Sequence, residues 1–121
     1  MKVKIDTKEK MHVITVEEVK LAANMTEHFR NTILDYLNSS VKNVVVNLEN
    51  VEEMDELSAE LLIKTQQSFY EANQSLVFCN LKPGLESFLD EKELLELMNL
   101  TPTESEARDI VQLEEIEREF L

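Results

Sequence analysis

The stretch VVVNLENVEEMDELSAELL, running from Val44 to Leu62, decides how the rest of the chain is read. Val44, Val45, Val46 and Leu48 form an apolar, largely β-branched run, the pattern of a strand covered on both faces. Leu61 and Leu62 then start a helical repeat. The segment therefore describes a buried strand that feeds a helix through the acidic turn Glu49 to Glu56. The junction Met54-Asp55-Glu56-Leu57-Ser58 opens that helix, where unpaired amides and loop side chains are presented together, and is the candidate functional site.

Upstream of this stretch, Lys2 to Thr7 alternates Val3 and Ile5 with polar residues. His12 to Glu17 carries Val13, Ile14 and Val16, so the two predict an antiparallel pair joined across Lys8 to Lys10. Asn24 followed by Glu27 reads as a capping box, after which Met25, Phe29, Ile33 and Leu37 recur at helical spacing as far as Asn38-Ser39-Ser40. Downstream, Leu61, Thr65, Phe69 and Ala72 predict the inward stripe of a second helix, with Leu62 beside it and Asn73-Gln74 closing it. Leu76 to Leu81 predicts a further buried strand. Pro83 opens a short helix with Leu85, Phe88 and Leu89, and Leu94, Leu95 and Leu97 predict another. Met98 to Leu100 reads as a last short strand. Thr103 with Glu106 is a second capping box, opening a terminal helix with an apolar edge of Ala107, Ile110, Leu113, Ile116 and Phe120. Its other face, with Glu114, Glu115, Glu117 and Glu119, is acidic. The apolar edge, with Phe120 and Leu121 at its end, is suited to packing on this domain or on a second copy. The order of elements predicts an α/β fold, a mixed β-sheet with about four α-helices packed mainly on one face.

The whole chain bounds the function. Its 121 residues, 43% of them hydrophobic, suit one folded domain spanning residues 1–121. A formal charge of −13, from 25 acidic and 12 basic side chains, argues against nucleic acid or an anionic membrane surface as partner. The single cysteine, Cys79, lies among Val77, Phe78 and Leu81 and reads as a buried thiol in a reducing compartment. The N-terminus MKVKIDTKEK has no apolar leader core, and no stretch is long enough to span a bilayer, so a cytoplasmic location is expected. His12 and His28 have no metal-ligand spacing around them. The lone Gly84 excludes a glycine-rich phosphate loop. Glu52, Glu53, Asp55 and Glu56 could supply an acid and base pair, but a solvated acidic face explains them more simply. No catalytic residue, metal or cofactor is expected.

Several of these residues resemble a known family. The order of elements, the run Val44-Val45-Val46-Asn47-Leu48 with Val51, the pair Met54-Asp55 opening a helix, and Leu76-Val77-Phe78-Cys79-Asn80-Leu81 before Pro83 are similar to the STAS domain, the fold of bacterial anti-sigma factor antagonists. The ending Glu114-Glu115-Ile116-Glu117-Arg118-Glu119 is similar to the tail of stand-alone members. The resemblance implies a non-enzymatic regulatory domain that binds an anti-sigma factor with serine-kinase activity through the strand-to-helix turn. It also implies release by phosphorylation of a serine in an Asp-Ser-Ser-Gly pattern, since a phosphate at a helix N-terminus both fits the dipole and disrupts a fitted interface.

Here Asp55 keeps the aspartate, Glu56 stands at the first serine, Leu57 occupies the phosphoacceptor place and Ser58 replaces the glycine. Leucine cannot be phosphorylated. Three readings follow. Glu56 and Leu57 form a contact surface with no phosphate switch; Ser58 acts as a shifted phosphoacceptor, turned by about 100 degrees around the helix; or Asp55 and Ser58 simply cap the helix while Leu57 packs inward. The rival from another class is a scaffold domain that dimerises or joins an assembly through its acidic terminal helix.

Overall fold

The structure, a computed structural model, describes residues 1–120, so Leu121 and its expected packing lie outside the described residues. Strand β1 (Val3–Thr7) pairs antiparallel with β2 (Met11–Val16). Then follow β3 (Lys20–Leu21), helix α1 (Ala23–Leu34) extended by a 3-10 turn at Asp35–Asn38, β4 (Asn43–Asn47), β5 (Glu53–Met54) and α2 (Glu56–Glu71). The remainder is β6 (Leu76–Cys79), α3 (Pro83–Glu91), a 3-10 turn at Leu95–Leu97, β7 (Leu100–Thr101) and α4 (Glu104–Glu119). The main sheet has the order β1-β2-β4-β6-β7, parallel throughout except for its first pair. This is the expected α/β fold with a mixed sheet and four helices.

The strands divide their side chains by the two-residue period. Ile14, Val16, Val44, Val46, Leu76 and Phe78 point to the layer of α1, α2 and α3, where Phe29, Ile33, Leu62 and Leu89 meet them. Met11, Val13, Val45, Val77 and Cys79 point the other way, against Ala107 and Val111 of α4. Val44, Val45 and Val46 are all fully buried, as the double covering requires. Each such side chain contributes roughly 1.5–3 kcal/mol of burial.

Four local expectations are corrected. Asn24 is not the cap of α1: the capping position is Ala22, whose side chain accepts nothing, and Asn24 is an exposed residue of the first turn. The stripe of α2 is rotated, so that Ala72 is exposed and Leu61 half-buried while Ala59, Leu62, Thr65 and Phe69 face inward. The last strand is Leu100–Thr101 rather than Met98 to Leu100.

The largest departure is α4. Only Ala107 and Val111 of its apolar residues are buried, and Ile110, Leu113, Ile116 and Phe120 are exposed. A polar network sets this rotation. Glu114 accepts from the Tyr70 hydroxyl at 2.7 Å and the Ser75 hydroxyl at 2.6 Å. Arg118 donates to Ser75 Oγ and to Glu115, and Asn43 donates to Glu115, each at 3.0 Å. Asn43 and then Arg118 hold the Glu115 carboxyl below its usual range. Glu114 and Glu115 thus belong to the inner side of the helix, contrary to the acidic outer face expected for them. The Thr103 cap is as predicted: its hydroxyl accepts from the Glu106 amide at 3.2 Å.

Candidate functional site

The turn from β4 into α2 is held by two short strands that leave almost no periodicity to read. β5 pairs in parallel with β3, Lys20 opposite Glu53 and Leu21 opposite Met54. The Glu52 and Glu53 amides donate to Val19 O at 2.8 and 3.1 Å, and the Asp55 amide donates to Leu21 O at 3.2 Å. Val51 and Met54 are buried beneath it. The acidic stretch Glu49 to Glu56 is therefore part strand, not an open loop.

Asp55 then does for two helices what a capping residue does for one. Its Oδ1 accepts the Ser58 amide at 2.8 Å, in the first turn of α2, and its Oδ2 accepts the Ala23 amide at 3.0 Å, the first of α1. Both positive helix ends converge on a single carboxylate, which replaces the cap that Asn24 does not provide. The Ser58 side chain lowers the Asp55 pKa most; burial opposes it as the next-largest effect, and the Ser58 and Ala23 amides and the charge of Lys20 add to the lowering, which prevails. A carboxyl lowered in this way is the reverse of a general acid kept protonated at neutral pH.

Ser58 completes the junction from inside. It is fully buried, its hydroxyl donates to Leu21 O at 3.3 Å, and Thr26 Oγ1 lies 2.9 Å from it. The same Thr26 hydroxyl lies 3.0 Å from Ala22 O. Of the five residues expected to form the site, Met54 and Ser58 thus face inward, Asp55 spans two helix ends, and Glu56 and Leu57 face solvent. Leu57 is 53% exposed, so it does not pack inward.

Beside the turn, Lys20, Glu53, Met54, Gly84, Leu85 and Phe88 line an open cleft of about 370 Å³ whose wall is largely apolar. Gly84 has no positive φ, and a Cβ built on it would meet nothing within 4 Å. Neither backbone conformation nor packing requires a glycine there, and its missing side chain widens the cleft. Sequence reasoning missed Ala23, Thr26 and the α3 wall of this cleft, because the contacts are tertiary and no local pattern marks them.

The other reactive groups are occupied or inert. Both nitrogens of the buried His12 have partners, Thr7 Oγ1 at 2.9 Å and Val41 O at 2.8 Å, and its ring stacks on Tyr36 with centroids 4.0 Å apart. Burial, then the charges of Glu104 and Glu49, push the Cys79 thiol up to about 12, away from the reactive thiolate. Among the described residues, no group of three or more His, Cys, Asp or Glu is placed to hold a metal ion. Among the same residues, no helix is long and apolar enough to cross a membrane.

Comparison with solved structures finds the same fold in several settings. The anti-sigma factor antagonist SpoIIAA in its unphosphorylated form superposes with a TM-score of 0.71 at 18% identity, over 92% of this chain and 96% of that one. A serine-to-glutamate variant of RsbS from Moorella thermoacetica gives 0.75 at 20% identity, over 93% and 96%. The murine anion transporter Slc26a9 gives 0.68 at 14% identity over 85% of this chain, which corresponds to 18% of the transporter. Among curated proteins, none matches this sequence significantly. The model of the STAS domain matches residues 3–107, most of the chain, and with the sheet order and the strand-to-helix turn described above it shows that this protein belongs to the STAS domain family.

Proposed function

We propose that this chain is a non-enzymatic regulatory domain that docks a protein partner through the β5–α2 turn, in the manner of an anti-sigma factor antagonist but without a phosphate switch at the usual position. The observation that carries the reading is Leu57, a large apolar side chain left 53% exposed in the first turn of α2, beside a turn held by the β3–β5 pairing and the Asp55 cap. A rigid turn presents such an anchor with little ordering cost on binding. Val19, 59% exposed on the loop that hydrogen-bonds β5, and the largely apolar cleft lined by Met54, Asp55 and Phe88 add apolar surface on the segments that flank the same turn. Glu52, Glu53 and Glu56 border it with negative charge, which favours a partner offering an apolar side chain among basic ones. The family resemblance makes an anti-sigma factor of the serine-kinase type in a bacterial cytoplasm the fitting partner.

Ser58 is here a structural residue rather than a shifted phosphoacceptor. Its hydroxyl is bonded beneath α1 with no exposed surface, so a kinase would have to part α1 from α2 to reach it. Glu56 places a carboxyl side chain one residue before Leu57, and the usual acceptor place holds leucine, which has no hydroxyl to phosphorylate.

Affinity capture from the native cells tests the proposal. The wild-type chain is expected to recover a specific protein partner, and Leu57→Asp, which places an unpaired charge in the contact, is expected to lower its recovery by a factor of about 30 or more. Recovery indifferent to that substitution overturns the reading.

A further inference from the structure

Helix α4 carries a second apolar surface, on the opposite side of the sheet from α1, α2 and α3. Ile110, Leu113, Ile116 and Phe120 recur every three or four residues on its outer side, and Leu113 and Phe120 are 58% and 83% exposed. The helix therefore turns its small residues, Ala107 and Val111, toward the sheet and its large ones toward solvent. It cannot roll over to correct this. Rolling would break the bonds from Tyr70 and Ser75 to Glu114 and from Arg118 to Ser75, and would drive Asp109 and Glu117 against the sheet.

Charge selects the occupant. The exposed carboxylates Glu106, Asp109 and Glu117 stand on the same outward side, interspersed with the apolar residues of the stripe. The two basic residues of the helix are both engaged elsewhere: Arg118 lies in the inner network, and half-buried Arg108 sits 4.0 Å from Glu104. A second copy of a chain carrying −13 would set carboxylates against carboxylates along the whole stripe. A helix with an apolar stripe flanked by Lys and Arg matches it in both respects. We infer that the outer face of α4 is a second docking surface, for a basic amphipathic helix of another protein, independent of the β5–α2 turn.

The test uses the full chain and a labelled amphipathic peptide of Leu and Lys, about 18 residues or five helical turns long, with a Leu and Glu counterpart as control. Fluorescence anisotropy is expected to show saturable binding of the Lys peptide alone. Leu113→Ser combined with Ile116→Ser, at exposed positions that leave the fold intact by circular dichroism, is expected to weaken it by about tenfold or more. Leu57→Asp is expected to leave it unchanged, which separates this surface from the turn. Equal binding by the double variant, equal binding of the Glu peptide, or loss of peptide binding on Leu57→Asp overturns the inference. So does a wild-type dimer in sedimentation that the double variant abolishes.

Discussion

Replacing Asp55 separates a carboxylate that caps one helix from one that joins two. Asp55→Ala removes the acceptors of the Ser58 amide, 2.8 Å away, and the Ala23 amide, 3.0 Å away. Each lost cap contact costs about 1 kcal/mol, and water reaching this exposed side chain recovers part of it, so the loss is about 1–2 kcal/mol. For a chain of this size that is roughly 4–8 °C in Tm. Asp55→Asn is the sharper probe. As the cap of α2 alone, Asn serves about as well as Asp. Facing two helix ends, however, it has one acceptor oxygen, and its NH₂ would confront the Ala23 amide, donor against donor. Asp55→Asn is therefore expected to cost about 1 kcal/mol in urea denaturation at neutral pH. The sign of the pH dependence follows from the lowered Asp55 pKa. The difference between wild type and Asp55→Asn is fully present above the ordinary aspartate value of 3.8 and disappears as the pH falls through the lower folded value. Equal stability of wild type and Asp55→Asn at neutral pH would refute the double-cap reasoning.

Other substitutions test the remaining parts. Leu57→Asp, at an exposed position, is expected to change stability by less than about 0.5 kcal/mol in the same denaturation assay, so that any binding loss belongs to the surface. Ser58→Ala is expected to cost about 1–2 kcal/mol, whereas Ser58→Asp, which buries a carboxylate where phosphate would sit, is expected to cost several kcal/mol and to lower Tm by 10 °C or more, roughly. A Ser58→Asp chain as stable as wild type would restore the shifted-acceptor reading. Gly84→Ala is expected to stabilise α3 by about 0.5–1 kcal/mol, since its Cβ meets nothing within 4 Å. Gly84→Phe is expected to fold equally well by circular dichroism while occluding the cleft and weakening partner capture.

Much of the architecture was legible because it rests on periods that a single sequence displays. The valines of β4 read as buried on both faces and are so; Leu76 to Leu81 read as a further buried strand, and the strand is there but ends at Cys79. Phe29 and Ile33 read as the inner face of α1 and form part of the core. What was not legible depends on partners distant in sequence. Asn24 had the local look of a cap, but the Ala23 amide is satisfied by Asp55 from 32 residues away. β3 and β5 have two residues each, too few to show alternation. The sequence left open whether the edge of α4 packs on this domain; beyond Ala107 it does not, because close approach to the sheet favours Ala107 and Val111, and the network around Ser75 and Asn43 draws Glu114, Glu115 and Arg118 inward. At the candidate site, the sequence marked the turn itself. The direction of each side chain became clear only from the packing of α1 against it.

The most direct test of the central claim places a photo-crosslinking phenylalanine derivative at Leu57 and irradiates the protein in its native cells. The account predicts a discrete adduct with one protein partner, identified by mass spectrometry, and none from the same probe at His28, an exposed position on α1. Absence of any adduct at Leu57, or the same adducts from both positions, would contradict it.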